Sequence, residues 1–439
     1  CDLLWQFSLS GLPQMLMLLL LTCGLFFAYQ ALEKSLDGRL AMGSMLVAGF
    51  FFCLMALAHW LAVWLVIGYA IFAAVALRPR GLGALLTGGM LMAFSAFFIL
   101  RNMEWTGNPV GTAGLSVFGG LVGSEESLMR AAAPGDETYQ ILFQMKSLVL
   151  NITSNILRQA DQLYVNLGSL LAAPMFFFSL LHSFKRPSIA HFRWLILLMW
   201  FFGVIGVAIF GQGGDGAVAS NQIHILFAPI MAAYGLAFAS ILWSRLDLPA
   251  GGGNALLQYG HFVIIIFISA GPLMLQIPRQ LKAGLSRQVK WPEWPPYFPK
   301  IHNVALHGYT TEEDVVVSDQ PWAVAWYADR VSIWLPRKID EFDQLEREVQ
   351  EAEMSLSGVL VSPSSFEHNP LYAAQSFENL EEFAPLMLDA PSVAVSGGTF
   401  GGLRNEAEKL NGFNSRYPHA QPLFPGRMTY YASQKIEQD

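Results

Sequence analysis

The sequence predicts an α-helical multi-pass membrane bundle of about eight helices, followed by an extracytoplasmic α/β domain. Composition is the first reason, because 54% of the 439 residues are hydrophobic and only 13% are charged, about half the charged fraction of a soluble protein. The second is a change of pattern in the last third, where short β-branched runs alternate with helical patterns. We predict a membrane region over 1–278, a connector over 279–300 and an α/β domain over 301–439.

Long apolar runs mark the predicted membrane helices, each of which needs about 20 residues. The run from Leu40 to Leu77 has 38 residues, so we divide it into two helices with a tight turn at His59. The other six helices are predicted within residues 12–32, 81–100, 162–184, 194–214, 222–243 and 256–277.

Basic side chains fall in every second connection between these helices. The basic loops contain Lys34, Arg39, Arg78, Arg80, Lys185, Arg186, Arg193 and Arg245. The positive-inside rule assigns these loops to the cytoplasm, so the first residues and the last third are expected outside it. In the long 103–161 loop, the spacing of Ile152 and Ile156 indicates a helix, either in the membrane interface or packed on the bundle.

Charge is divided unevenly along the chain. Residues 1–278 hold 12 Lys and Arg against 11 Asp and Glu, whereas residues 279–439 hold 14 against 22. Nucleic acid requires a basic surface, so we expect no nucleic-acid partner. All three cysteines precede the acidic third, so no disulfide framework is expected there.

The last third is predicted to alternate strands and helices. The predicted strands are 315–317, 331–335, 358–361 and 428–432, and the predicted helices are 323–328, 340–355 and 371–383. Pro321 suits the first turn of the first of these helices, and Asp340 suits the cap of the second. The Gly- and Pro-rich stretch 396–426 stays unassigned.

Four stretches carry a resemblance to a known family. They are Gly43…Gly49…Leu57-Ala58-His59, Arg101-Asn102…Thr106-Gly107-Asn108-Pro109, Asn221-Gln222-Ile223-His224…Pro229, and Asp319-Gln320-Pro321-Trp322-Ala323-Val324-Ala325-Trp326-Tyr327-Ala328-Asp329-Arg330. In this order and on this side of the membrane, they resemble GT-C class membrane glycosyltransferases. That class includes relatives of the lipid A aminoarabinose transferase and of the protein O-mannosyltransferases.

The resemblance implies an enzyme of the bacterial inner membrane that transfers a hexosyl or pentosyl group. The donor would be a polyprenyl-phosphate sugar, and the acceptor a lipid, glycan or protein on the outer face. The family carries its catalytic carboxylate in the first outer loop, which has no match here. We therefore expect that residue upstream of Cys1, where the chain is either truncated or processed.

Candidate binding residues lie at the predicted outer ends of helices, where the donor phosphate leaves with negative charge. Arg101 suits bidentate phosphate binding, or it anchors its helix at the interface with Asn102 beside it. His59 is either a ligand or a polar turn residue. Asn221 and His224 are three residues apart and share a helix face, for substrate or for capping.

Other candidates lie in the α/β domain and the outer loop. Asp319, Trp326 and Arg330 either belong to an active-site lid or pack and pair within their own fold. Glu104, Glu125 and Glu126 are either acceptor-side carboxylates or solvated surface. The sequence contains no HExxH or CxxC motif, so we expect no metal, and no cofactor other than the lipid-linked donor as substrate.

Two other function classes remain open. A surface polysaccharide polymerase or ligase would place its active loop between helices, without a C-terminal α/β domain. A transporter or non-catalytic membrane protein would favour charged residues within the spans or matched broken helices, neither of which the apolar runs contain.

Overall fold

The computed structural model describes residues 2–106, 109, 145–211, 218–246, 255–285, 306–336, 338–361, 381–383, 385–386, 408–424 and 428–433. The chain divides into two compact units, one of Cys1–Leu128 and Pro134–Val289 and the other of Met129–Ala133 and Lys290–Asp439. The first is helical, and the second contains a small β-sheet. They are called the helical unit and the α/β unit below.

The described part of the helical unit consists mainly of helices. Its described helices are α1 (Asp2–Ser10), α2 (Gln14–Leu36), α3 (Met42–Ala58), α4 (Ala62–Ala76), α5 (Leu82–Thr106), α6 (Met145–Asp161), α7 (Leu163–Asn166), α8 (Met175–Ser179), α9 (Pro187–Phe210), α10 (Ala228–Trp243) and α11 (Ala255–Leu285). A 3₁₀ turn over His224–Phe227 leads into α10.

Four helical segments among the described residues are long and apolar enough to cross a membrane. They are Gln14–Leu36, Leu82–Glu104, Pro187–Phe210 and His224–Trp243. Helices α3 and α4 are shorter and apolar, and they are separated at the predicted turn because His59 adopts an extended conformation with φ of −157°. The division of the Leu40–Leu77 run at His59 is therefore confirmed.

The segment 162–184 is not the continuous helix that its apolar composition predicts. It contains the short helices α7 and α8 with irregular chain between them. Gly168 takes a left-handed conformation with φ of +58°, and Pro174, which has no N–H to donate, precedes α8. The prediction was wrong because apolar composition does not register these two breaks.

Helix α6 packs on α9, the second of the two alternatives for this stretch. Asn155 Nδ2 donates to the carbonyl of Ala208 at 3.0 Å, and Gln159 Nε2 donates to that of Val204 at 3.3 Å. The amide-bearing face of α6 is thus turned inwards, while Leu157 on another face is 65% exposed.

Glycine allows close helix contacts at two places in this unit. A Cβ on Gly68 of α4 would lie 2.7 Å from the Cα of Met199 in α9. A Cβ on Gly235 of α10 would lie 2.0 Å from the carbonyl oxygen of Ala172, in the irregular segment between α7 and α8. Backbone rather than flexible side chain is the obstacle at both positions.

One end of the helical unit carries exposed cations and is called the basic end (Lys34, Arg39, Arg78 and Arg186). Lys34 Nζ donates to Ser44 Oγ at 2.8 Å, which joins α2 to the start of α3. The backbone N–H of Arg78, after α4, donates to Ser35 Oγ at 2.9 Å. Arg186, before α9, pairs with Glu33 at 2.6 Å. The ends of four helices therefore meet here.

The α/β unit contains a five-stranded mixed sheet. Its strands are β1 (Asp314–Ser318), β2 (Val331–Trp334), β3 (Ser355–Val361), β4 (His419–Phe424) and β5 (Met428–Ala432), in the order β2-β1-β3-β5-β4. Strands β2, β1 and β3 are parallel, whereas β5 is antiparallel to both β3 and β4. Its described α-helices include α12 (Pro321–Ala328), α13 (Ile339–Glu351) and α14 (Asn411–Arg416).

Alternating residues of β1 serve the two faces of this sheet. Val315 and Val317 belong to a buried cluster with Phe342 of α13. Val316 belongs to a separate cluster with Val324 of α12. Helices α12 and α13 therefore cover opposite faces of the same sheet.

The four predicted strands overlap β1, β2, β3 and β5, and helices α12 and α13 lie where the sequence predicts them. Strand β4 lies in the stretch left unassigned. Helix α11 continues to Leu285, into the predicted connector, the rest of which lies outside the described residues. Of the predicted helix 371–383, the structure describes only a 3₁₀ turn over Glu381–Phe383.

Candidate functional site

A group of uncharged polar side chains lies at the end of the helical unit opposite the basic end. We call it the polar cluster; its members are Gln14, His59, Gln159, Asn166, Gln222 and His224. Five of the six side chains are nearly inaccessible, with 1–4% of their surface exposed, and His59 is half-buried. Polar groups buried to this degree require hydrogen-bond partners.

Breaks in helices place these residues at one level. Gln14 is the first residue of α2, and His59 follows the last residue of α3. Asn166 ends the short helix α7, just before the left-handed Gly168. His224 begins the 3₁₀ turn that leads into α10. A side chain at a helix terminus lies next to backbone groups that the helix leaves unpaired.

One branch of the cluster connects α6, α7 and the start of α10. Gln222 Nε2 donates to Asn166 Oδ1 at 2.7 Å, and Gln222 Oε1 accepts from the backbone N–H of His224 at 3.2 Å. His224 Nε2 lies 2.9 Å from Gln159 Oε1, which can only accept, so Nε2 is the donor. In the neutral imidazole, His224 Nδ1 is then an acceptor.

A second branch meets the first through the backbone around Ser220. Gln14 Nε2 donates to the Ser220 carbonyl at 2.7 Å, and the His59 ring lies within hydrogen-bonding reach of the Ser220 backbone. Residues 219–222 are thus held from two sides, by the start of α2 and by the turn after α3.

Several buried atoms of this region have no hydrogen-bond partner within the described part of the chain. They are Gln14 Oε1, His59 Nδ1, Asn166 Nδ2, His224 Nδ1 and the nearby Trp200 Nε1. The ring centroids of Trp200 and His224 are 6.0 Å apart. The group includes both donors and acceptors, and it suits a small ligand rich in hydroxyl groups or ordered water.

Of the residues nominated from sequence, His59 and His224 belong to this cluster and Asn221 lies beside it. The side chain of Asn221 donates to the carbonyl of Gly211, at the end of α9, at 3.1 Å. The structure therefore brings together two stretches that lie about 160 residues apart in the sequence.

Arg101 and Asn102 lie in the last turns of α5, outside the polar cluster. Contacts between Gly83 and Met45 and between Thr87 and Gly49 set α5 parallel to α3. Continued along α5 at 1.5 Å per residue, this alignment of the two helices puts Arg101 about 7 Å beyond the end of α3 along the helix axis. Arg101 is exposed, and Asn102 Nδ2 donates to the Pro109 carbonyl at 3.4 Å. Glu104 is also exposed, while Glu125 and Glu126 lie outside the described residues.

The nominated residues of the α/β unit have separate surroundings. Asp319, just after β1, is fully buried and accepts from Ser318 Oγ at 3.3 Å. Arg330 is buried, and its guanidinium donates to Thr310 Oγ1 at 3.0 Å and lies 3.1 Å from His307 Nδ1. Trp326, in contrast, is 82% exposed.

Sequence reasoning missed the amides that complete the cluster, Gln14, Gln159, Asn166 and Gln222. A usable signal existed, because each is an amide in or beside an otherwise apolar stretch. Gln159 also stands four residues after Asn155, which puts both on one face of α6.

Metal ligation finds no support in the described residues, where no group of three or more His, Cys, Asp or Glu side chains is placed to hold an ion. Comparisons with known proteins add no assignment, because no family model, curated protein or solved structure matches the chain.

Proposed function

We propose that this protein is a membrane glycosyltransferase that moves a sugar from a polyprenyl-phosphate carrier to an acceptor lipid, glycan or protein. The observation that carries the proposal is the polar cluster, in which several buried donors and acceptors have no hydrogen-bond partner among the described residues. Sugar hydroxyls both donate and accept, so they match such a mixed group. The four sequence stretches that resemble GT-C enzymes provide independent support.

The proposed location is a bacterial inner membrane, with the basic end in the cytoplasm. Grouping of Lys34, Arg39, Arg78 and Arg186 at one end supports this orientation. The opposite end, with the polar cluster, would then face outwards, where lipid-linked sugars are used. The chain would cross the membrane several times and carry the α/β unit outside the cytoplasm.

In the proposed reaction, the acceptor hydroxyl oxygen bonds to the anomeric carbon as the bond from that carbon to the phosphate oxygen breaks. The hydroxyl proton passes to a carboxylate, which is not assigned to a residue of this chain. Polyprenyl phosphate leaves with the bonding electrons and needs positive charge beside it. The polar cluster would hold sugar hydroxyls, and exposed Arg101, at the same end, would hold the phosphate.

The test compares two exposed arginines at opposite ends of the helical unit. Membranes containing the protein, with any flanking coding sequence retained, receive undecaprenyl phosphate carrying radiolabelled mannose, glucose or aminoarabinose. For the sugar that is transferred, Arg101→Ala removes a charge-assisted bond of about 1.5–3 kcal/mol, so kcat/KM should fall roughly tenfold to a hundredfold. Arg101→Lys should recover part of it, and Arg39→Ala should leave the rate unchanged.

Two results would overturn the proposal. Failure of every donor to yield product in membranes with folded protein would favour a polymerase, a ligase or a transporter instead. An alkaline phosphatase fused after Asp439 that stays inactive, while a cytoplasmic reporter at that site is active, would reverse the orientation. Equal kcat/KM for wild type and Arg101→Ala would remove only the phosphate assignment.

A further inference from the structure

The two helices that flank the sheet of the α/β unit have different outer faces. Helix α13 buries Ile339, Phe342 and Val349 and exposes charged residues such as Arg347 and Glu348. Helix α12 buries Ala323, Val324 and Ala328 against the sheet, yet its outer face is apolar too. A helix that is apolar all round normally has a partner on every side.

The outer face of α12 forms an exposed surface of aromatic and aliphatic side chains. We call it the aromatic surface (Trp322, Ala325 and Trp326). The three have helical spacing on one face, next to β2 at the edge of the sheet. Trp326 is 82% exposed and Trp322 44%. The Trp322 ring also packs on Trp334 of β2, with centroids 4.7 Å apart, which stiffens the surface.

The geometry points to a lipid bilayer as the occupant of this surface. Tryptophan prefers the headgroup level of a membrane, because its ring is apolar and its N–H still reaches polar groups. Helix α12 carries no charged side chain over its eight residues, Pro321–Ala328. The first charged position after it is the exposed Asp329.

Because the chain is continuous, the α/β unit is tethered to the proposed membrane helices. Twenty residues separate Leu285, the end of α11, from Leu306, the next described residue. Even fully extended they would span at most about 70 Å. This inference rests on the membrane location in the proposed function but is independent of glycosyl transfer.

The aromatic surface therefore docks the α/β unit on the membrane surface, with Trp322 and Trp326 among the lipid headgroups. Charge placed on this surface should weaken docking, whereas the same charge on the outer face of α13 should have no effect. Trp326→Glu tests the first, and Gln350→Glu, at an exposed position of α13, is the matched control. Ala325→Glu is a second variant that removes no aromatic ring.

The experiment uses the full chain in nanodiscs of phosphatidylcholine and phosphatidylglycerol that contain a phospholipid with a photoactivatable diazirine in its headgroup. Mass spectrometry then measures the labelling of peptides from α12–β2, α13 and α2. We expect α12–β2 to be labelled and α13 not, and we expect Trp326→Glu and Ala325→Glu each to reduce α12–β2 labelling about fivefold or more. Circular dichroism confirms that each variant is folded.

Labelling of α2 without labelling of α12–β2 in the wild type would overturn this inference and leave membrane insertion intact. Absence of label from α2 as well would count against insertion and hence against the proposed function. If Trp326→Glu and Ala325→Glu are folded and fully labelled, the surface does not dock through α12. Protection of Trp326 by a soluble oligosaccharide, with no lipid label, would identify a sugar-binding platform and also refute the inference.

Discussion

The basic end and the polar cluster lie at opposite ends of α2 and α3, yet their polar groups have different surroundings. At the basic end, Arg186 and Glu33 pair while 63% and 36% of their side-chain surfaces are exposed. In the polar cluster, the side chains of Gln222 and neutral His224 are uncharged. Both are almost fully buried, and they bond to neighbouring side chains or backbone. Water solvates the charged groups of the basic end, whereas other protein groups form the hydrogen bonds of the polar cluster.

This difference predicts how each end responds to mutation. An exposed ion pair contributes little, because water and salt replace the lost partner. A buried amide or imidazole that loses its partner is left without water, at a cost of about 1–3 kcal/mol. The polar cluster should therefore be sensitive to single substitutions, and the basic end tolerant of them.

The largest loss of stability is expected where the irregular segment between α7 and α8 contacts α10. Gly235→Ala would place a methyl group 2.0 Å from the Ala172 carbonyl oxygen, so we expect a loss of about 3 kcal/mol or more. Gly88→Ala, in the middle of α5 with no atom within 4 Å of the new Cβ, is the control and should be neutral or slightly stabilising. Melting temperatures in the same detergent measure both.

A Gly235→Ala variant as stable as wild type would mean that the segment around Ala172 moves away without cost. The breaks at Gly168 and Pro174 would then be free to shift, and the polar cluster would lose the fixed position of Asn166. Equal destabilisation by Gly88→Ala would point to a general intolerance of added methyl groups rather than to this contact.

The second prediction compares two histidines at opposite ends. His224→Ala leaves Gln159 Oε1 without its donor, which should cost about 1–3 kcal/mol. His191→Ala, at an exposed histidine near the start of α9, should change stability by less than about 0.5 kcal/mol. His224→Gln, which keeps a side-chain donor, should recover part of the loss. Equal effects of the two alanine variants would end the distinction between the two ends.

The smallest effect is expected for the ion pair at the basic end. Glu33→Gln removes the negative partner of Arg186, and we expect a change within about 0.5 kcal/mol that shrinks further in high salt. Melting curves at low and high salt measure it. A loss as large as that for His224→Ala would show that the basic end is held by its charges.

Patterns that repeat along the chain were predictable from the sequence, and single backbone events were not. The turn at His59 follows from the length of the apolar run, and β1 follows from Val315–Val317. The break at Gly168 depends on one left-handed residue inside an apolar stretch, which periodicity does not register. Strand β4 was missed because it contains Pro422, and proline is unusual in strands. The structure accommodates this proline because β4 lies at the edge of the sheet.

The candidate site was predictable only in part for a related reason. His59 and His224 stood out as lone histidines at helix ends, and the structure places both in the polar cluster. Gln14 and Asn166 were not predicted as site residues, because an isolated amide is common at any surface. Their burial depends on contacts with residues about 56 to 206 positions away, and the sequence alone does not give such pairings.

The strand order of the α/β unit also determines when its sheet can be completed during synthesis. Strand β3 pairs with β1 on one side and with β5 on the other, but β5 is made 67 residues after the end of β3. At about 5–20 residues per second, the ribosome needs roughly 3–13 s to bridge that interval. During this time one edge of β3 has no strand beside it, and unpaired strand edges invite association with other chains.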